Sequence, residues 1–337
     1  MRCMNFIVSL IAVILLMVIA AVGAQVGLGY LLGVIIPYVA IVVFIVGVVA
    51  KILSWAKIPV PFHIPTTCGQ QKSLPWIKSS RFESPHSTLG VIGRMLLEVL
   101  TFRSLFRNTK MDIKQGPHLV YGSSKFLWLG AMAFHWSFLI VFLRHFKFFA
   151  EPVPSWVMML QELDGFFQVG LPIIYLTNIL ILASLLYLLL RRLLEPRIRY
   201  ISLASDYFPL LLLIGIAGTG VWMRYFGKID IVSVKELATG IVTFNPPGSE
   251  VLASIDWLFY MHLLLVSVLF IYFPFSKLMH LGGVFLSPTR NLANNSRVKR
   301  HVNPWDYPVK LHTYEEWEDE FRPLMKAAGL PLEKEEE

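Results

Sequence analysis

Long apolar runs alternate with shorter polar stretches along the chain. Six runs are long enough to cross a hydrocarbon core as helices: about 5–24, 29–53, 125–149, 170–192, 203–224 and 251–276. The first two form a hairpin through Ala24-Gln25-Val26-Gly27-Leu28-Gly29. Between the second and third runs, residues 54–122 are too long for a simple connection. They open on Ile58-Pro59-Val60-Pro61-Phe62-His63-Ile64-Pro65, extended because proline fixes φ and restrains the residue before it. Residues 89–106 then read as an amphipathic helix at the membrane interface, with Leu89, Leu96, Leu97, Leu100 and Phe102 on its apolar side. Arg94, Arg103 and Arg107 are expected to face anionic headgroups. In the tail, the capping box Thr313-x-x-Glu316 precedes a helical stripe of Trp317, Phe321 and Leu324, suited to docking a partner or its own loop.

Composition agrees with the pattern. Of 337 residues, 55% are hydrophobic and only 15% charged, and mean hydropathy is +0.61, values of a polytopic membrane protein rather than a soluble domain. The formal net charge of +8 does not mark a nucleic-acid binder, because Lys and Arg lie beside the apolar runs as topology determinants do. Region 54–122 holds nine Lys and Arg against Glu83, Glu98 and Asp112. Arg191, Arg192, Arg197 and Arg199 face only Glu195. Stretch 148–169 has no Lys or Arg but carries Glu151, Glu162 and Asp164. The positive-inside rule therefore puts both termini, loop 54–122 and segment 191–202 in the cytoplasm. Arg2, the first apolar run and Ala21-Val22-Gly23-Ala24 have the form of a signal peptide, but the run is long and another span follows at once, so retention is expected. Cys3 and Cys68 stand alone, which leaves no C-x-x-C-H for covalent haem and no iron–sulfur cluster site.

The candidate chemistry lies in four histidines. His135 and His145 share the third run, ten residues or about 15 Å apart on a helix axis, one in each half of a core about 30 Å thick. His262 and His280 are eighteen apart in the last run, five turns of one helix, so both face one way. A single membrane histidine is ordinarily hydrogen-bonded to a neighbouring helix, whereas four at related depths can clamp two haem irons. Helix directions from the charge counts pair His145 with His262 near the outer face and His135 with His280 near the inner. Eighteen residues rise about 27 Å against about 15 Å for ten, so tilt, or a kink at Pro274, must absorb the difference.

Arg144, Lys147 and Arg224 at the outer boundary, and Lys125, Arg191 and Lys277 at the inner, are candidate partners for haem propionates; singly, each also suits an interfacial anchor. Gly215-x-x-Gly218-x-Gly220 could admit a macrocycle edge or serve plain helix packing. Glu162, Asp164 and Asp256 are candidate proton acceptors beside the outer pair, with Arg144 or Lys147 binding a quinone headgroup. His63, His86, His118, His301 and His312 lie in loops or tail and suit solvated or partner-contacting roles.

With these residues in view, the chain resembles the gamma subunit, a cytochrome b, of respiratory nitrate reductases over about residues 123–290. The resemblance rests on both histidine spacings, on the Arg-rich turn followed by Ser202 and Asp206, and on Leu286-Ser287-Pro288-Thr289-Arg290. Ile64-Pro65-Thr66-Thr67-Cys68-Gly69-Gln70-Gln71-Lys72-Ser73-Leu74-Pro75-Trp76 and His301-Val302-Asn303-Pro304-Trp305 are similar to the M subunit of the membrane complex tied to dissimilatory sulfite reduction. The resemblance implies two b haems with axial ligands at His135, His145, His262 and His280, and menaquinol oxidation near the outer one. It further implies electron delivery to a cytoplasmic iron–sulfur subunit related to heterodisulfide reductase, in sulfite or sulfate respiration. A multihaem cytochrome c, a ferredoxin-like protein and a second quinone-interacting membrane protein would complete the complex.

The expected fold is an all-α integral membrane protein of about six transmembrane helices, with a di-haem core of four to five helices. Residues 1–54 are expected to form an N-terminal hairpin, 55–122 a cytoplasmic loop with its interfacial helix, 123–280 the di-haem domain and 281–337 a docking tail. Competing readings are an anchor or scaffold without redox work, a single-haem cytochrome retaining His145 and His262, and a transporter, which the absence of an internal repeat disfavours.

Overall fold

The computed structural model describes residues 4–59, 69–114, 116, 118–168, 172–227, 229–299, 305 and 308–334. Cys3, Cys68, His63, His301 and most of the Pro-rich stretch after Ile58 lie outside the described residues. The chain runs through α1 (Met4–Gln25), a π-turn at Leu31–Ile35, α2 (Ile36–Ala56), α3 (Thr88–Thr101) and α4 (Arg103–Phe106). A hairpin of β1 (Thr109–Lys114) and β2 (His118–Ser123) leads to α5 (Lys125–Arg144), which ends in a tighter turn at His145–Phe148. Then come α6 (Ser155–Asp164), the short pair β3 (Gly165–Phe167) and β4 (Ile174–Tyr175), α7 (Leu176–Leu194) and α8 (Pro196–Ile201). The chain continues through α9 (Ala204–Tyr225), α10 (Ile231–Val242), α11 (Ser249–Ser254) and α12 (Trp257–Tyr272), and closes with α13 (His280–Gly283) and α14 (Tyr314–Ala327).

Six helices are long and apolar enough to cross a membrane: Met4–Gln25, Leu31–Ala56, Lys125–Phe148, Leu176–Leu194, Ala204–Tyr225 and Trp257–Phe275. Their outward faces are apolar: Ile7, Ile11, Leu15, Val18 and Val22 of α1 are all exposed, whereas the residues it buries are Ser9, Val13, Ala20 and Gly23. Large residues facing out and small ones at helix contacts is the pattern of a chain solvated by lipid. The molecule is a multi-pass membrane protein with an all-α membrane domain.

The first helix packs on α9 and α12, α12 on α2 and α9, α7 on α9, and α5 on α7. The core falls into two clusters, one around Leu32, Leu237, Tyr260 and Leu264, the other around Leu185, Tyr207, Leu212 and Leu265. Two glycines permit close crossings: a Cβ on Gly130 would meet the Tyr187 ring at 2.6 Å, and one on Gly47 would meet Pro274 at 2.7 Å. Asn5 and Ser9 bond to the carbonyls of Ser202 and Ala204, so the N-terminus and the α8–α9 turn share one end of the bundle.

Several expectations change. His262 and His280 do not share one helix: α12 stops at Tyr272, and Ser276 is extended at φ −120°, ψ 175°. Pro274 removes a hydrogen-bond donor from this stretch, and the break takes up the rise that a continuous helix would have added between the two histidines. Arg103 and Arg107 both reach Glu83, and Arg94 donates to the Thr289 carbonyl. The β1–β2 hairpin was not foreseen, nor was α10 in the 225–250 connection. The fourth span begins at Leu176, after β4. In the tail, Thr313 and Glu316 form the anticipated capping box, and Trp317, Phe321 and Leu324 are exposed.

Candidate functional site

Packing α5 on α7, α7 on α9 and α9 on α12 leaves the return from α12 to α5, and the four histidines lie along it. The rings of His145 and His262 stand 6.4 Å apart, centroid to centroid, with planes within 9° of parallel. Those of His135 and His280 stand 6.1 Å apart and nearly perpendicular, at 83°. The chain breaks at the extended Ser276 and restarts in a turn at Lys277–Met279, so His280 comes to His135 from a separate segment.

Each imidazole is held through its Nδ1. Nδ1 of His135 lies 2.8 Å from the Ala131 carbonyl, Nδ1 of His145 2.7 Å from Val141 and Nδ1 of His280 2.8 Å from Lys277. A carbonyl only accepts, so Nδ1 carries the proton and Nε2 keeps its lone pair. Nδ1 of His262 lies 2.9 Å from the Thr219 hydroxyl, which has two carbonyls to donate to, Gly215 at 2.8 Å and Ile216 at 3.0 Å. With the hydroxyl proton on either carbonyl, the Thr219 oxygen accepts from His262, which gives this fourth imidazole the same tautomer as the others. A second-sphere bond on one ring nitrogen is the usual way to orient a metal-binding histidine.

The residues fit a bis-imidazole haem. Two imidazole–metal bonds of about 2 Å, plus roughly 1 Å from each ring nitrogen to its centroid, put the rings about 6 Å apart, close to the 6.4 and 6.1 Å seen. Among the described residues no group of three or more His, Cys, Asp or Glu is placed to share a metal ion; a haem asks the protein for only two ligands.

The glycines of α9 divide their roles. A Cβ on Gly215 would meet Leu265 at 3.2 Å, which is helix packing. One on Gly218 would meet nothing within 4 Å, and one on Gly220 would meet the His262 ring at 3.4 Å.

At the end of the bundle nearer His145, Arg144 is buried in an ion pair with Asp164. Asp164 also accepts from the Thr177 backbone at 3.0 Å and its hydroxyl at 2.6 Å. Tyr175 lies between two guanidiniums, Arg144 at 3.5 Å and Arg224 at 4.2 Å from its ring centre. Arg224 also donates to the Ile173 carbonyl, and Lys147 to Gln161. Asp256 caps α12 by accepting from the Leu258 backbone at 2.8 Å, and Glu162 is exposed on α6. At the other end Lys277 pairs with Asp206 at 2.6 Å, Lys125 sits over the Phe106 ring and Arg191 lies in the last turn of α7.

Sequence reasoning missed Thr219, Tyr175 and Thr177. Thr219 carried a signal, being a lone hydroxyl between two glycines in an apolar span; Tyr175 and Thr177 carried none, because their partners come from distant segments.

The family model of the nitrate reductase gamma subunit matches residues 100–301. The chain is 47% identical to the Hdr-like menaquinol oxidoreductase cytochrome b-like subunit of Archaeoglobus fulgidus, over 83% of this chain and 84% of that protein. Its identity to the counterpart of the same name in Archaeoglobus profundus is 42%, over 80% and 81%. To the respiratory nitrate reductase 1 gamma chain of Escherichia coli it is 28%, over 46% and 71%. The matched region spans α5 to α13, and with it all four histidines, so the chain belongs to the nitrate reductase gamma subunit family.

Proposed function

We propose that this chain is the membrane cytochrome b subunit of a menaquinol-oxidising complex, carrying one bis-histidine haem b on His145 and His262 and a second on His135 and His280. The observation that carries the reading is the repeated geometry: two imidazole pairs, one on each half of the bundle, with every Nδ1 engaged and every Nε2 left for iron. A haem b bound at each pair would supply one-electron redox chemistry at its depth. The loop charges support an orientation with both termini in the cytoplasm and the His145–His262 pair toward the outer face of the cell membrane.

In this reading menaquinol is oxidised beside the outer pair. Asp164 is committed to Arg144 and Thr177, and Asp256 to its helix cap, so we assign proton uptake to the exposed Glu162 and headgroup binding to Lys147. Arg224 outside, and Lys125 and Arg191 inside, are the cations left for propionates, since Arg144 and Lys277 already hold carboxylates and Lys147 serves the headgroup. Gly218 offers the open backbone a macrocycle edge needs. Electrons leave at the cytoplasmic end to a heterodisulfide-reductase-like iron–sulfur subunit, within a complex serving sulfite or sulfate respiration. A multihaem cytochrome c, a ferredoxin-like protein and a second quinone-interacting membrane subunit are the proposed companions. The names of the Archaeoglobus relatives support the quinol and the partner class.

Sidedness is tested in proteoliposomes holding the complex, given a soluble quinol and an acceptor on the cytoplasmic side. Protons released outside while electrons move inward leave the outside positive, and the potential opposes flow by about 2.3 kcal/mol per charge per 100 mV for a full crossing. Turnover should slow as the potential builds and recover with an uncoupler. Turnover without a potential would move quinol oxidation to the inner pair and withdraw the role of Glu162.

A further inference from the structure

Among the described residues, only Phe102 and Phe244 are non-glycine residues with positive φ. Phe102 sits at φ 49°, ψ 46°, as the left-handed residue that ends α3. Helices commonly end this way on glycine, which meets no steric penalty there; a bulky side chain does. A phenylalanine in that place asks what its ring does, and the ring lies 4.9 Å from His135, edge to face at 87°.

The segment that carries Phe102 is tied to the helix of His135 and to the chain that follows His280. Trp128 and Trp136 of α5, the helix of His135, donate their indole N–H groups to the Thr101 and Leu100 carbonyls at 2.7 and 3.2 Å. These are terminal carbonyls of α3, left without partners inside the helix. On its other side α3 holds the chain that follows His280: Glu98 pairs with Arg290, and Arg94 donates to the Thr289 carbonyl. Just before α3, Pro85 and Ser84 bond to Asn294 at 2.6 and 2.8 Å. The amphipathic helix is thus a strap from α5 to the segment beyond His280, with Phe102 turned onto the imidazole between them.

We propose that Phe102 is a positioning residue for His135, held in a left-handed conformation so that its ring fixes the imidazole and keeps water from the inner histidine pair. The inference rests on the reading of His135 and His280 as haem ligands. A dry surround disfavours the more charged ferric state, so the ring should raise the midpoint potential at that pair.

The test uses the full chain purified with its haem, comparing Phe102→Gly, Phe102→Leu and Phe102→Tyr with the parent. Phe102→Gly suits the left-handed backbone while removing the ring. The potential of the inner haem should drop, and its low-spin electron paramagnetic resonance signal should shift, with the outer haem unchanged. Phe102→Leu should shift both readouts the same way and serves if the glycine variant fails to fold; Phe102→Tyr should restore the parent values. An unchanged potential and spectrum in the Gly and Leu variants would overturn the role of Phe102. A parent chain with no haem signal removable by His135→Ala would instead overturn the pairing on which the inference stands.

Discussion

Thr219 on α9 holds Nδ1 of His262 on α12 across 2.9 Å, a bond between residues 43 positions apart. The other three imidazoles are bonded to carbonyls three or four residues earlier in their own chain segment. His262 alone depends on a neighbouring helix for its orientation.

Thr219→Val keeps the shape of the side chain and removes the acceptor. Loss of such an outer-sphere partner commonly weakens metal affinity about 10–100-fold. Haem transfer to a competing apoprotein should therefore be faster from the outer pair, with the inner pair unaffected and Thr219→Ser close to the parent. Equal rates in Thr219→Val and parent would show that the bond does not set the ring.

Arg144 and Asp164 form an ion pair whose side chains are only 9% and 4% exposed. Removing one member leaves a buried charge, at a cost of about 3–5 kcal/mol. Asp164→Asn should lower the thermal unfolding temperature of the detergent-solubilised protein, and Arg144→Met with Asp164→Leu should recover much of the loss. Additive losses in the double variant would contradict the pairing.

Asp206 accepts from the Leu203 backbone at the start of α9 and pairs with Lys277 and, at 3.8 Å, with Arg192. Lys277 in turn offers its carbonyl to His280. Asp206→Ala is expected to cost about 1–2 kcal/mol through the lost cap and to broaden the inner haem signal. Lys277→Met should leave the cap intact and broaden the signal alone. Spectra that match the parent in both variants would separate this network from the histidine.

The spans and the four histidines were legible because apolar length and residue spacing are local properties. Pairing was legible too, since antiparallel helices crossing one slab bring residues of like depth together. What escaped was set by long-range contact. Pro274 announced a break but not that His280 would restart on a separate turn, because the extended Ser276 carries no signal of its own. The pairing of Arg103 and Arg107 with Glu83 left no local sign, because the carboxylate comes from a separate stretch of the loop. The β1–β2 hairpin hid in a basic loop because its strands mix charged and apolar residues, with Gly116 in left-handed conformation as the local cue.

Glu98 gives a pH signature. Burial pushes its carboxyl up, but hydrogen bonds from Ser104 and Arg290 outweigh that and hold it below its ordinary value of 4.5. A depressed carboxyl contributes stability that is full above the unfolded value and fades as pH falls through the folded one. The difference in thermal stability between parent and Glu98→Gln should therefore hold constant from pH 8 to about 5.5 and shrink below about 4.5. A gap that widens in acid would contradict the clamp between Glu98 and Arg290.

The most direct test of the account is the haem stoichiometry of the purified chain, measured by pyridine haemochrome with the four histidine variants beside the parent. Two b haems per chain are predicted, one lost in both His145→Ala and His262→Ala, the other in both His135→Ala and His280→Ala. A parent value near zero would contradict the cytochrome reading, and a value near one would remove the inner pair.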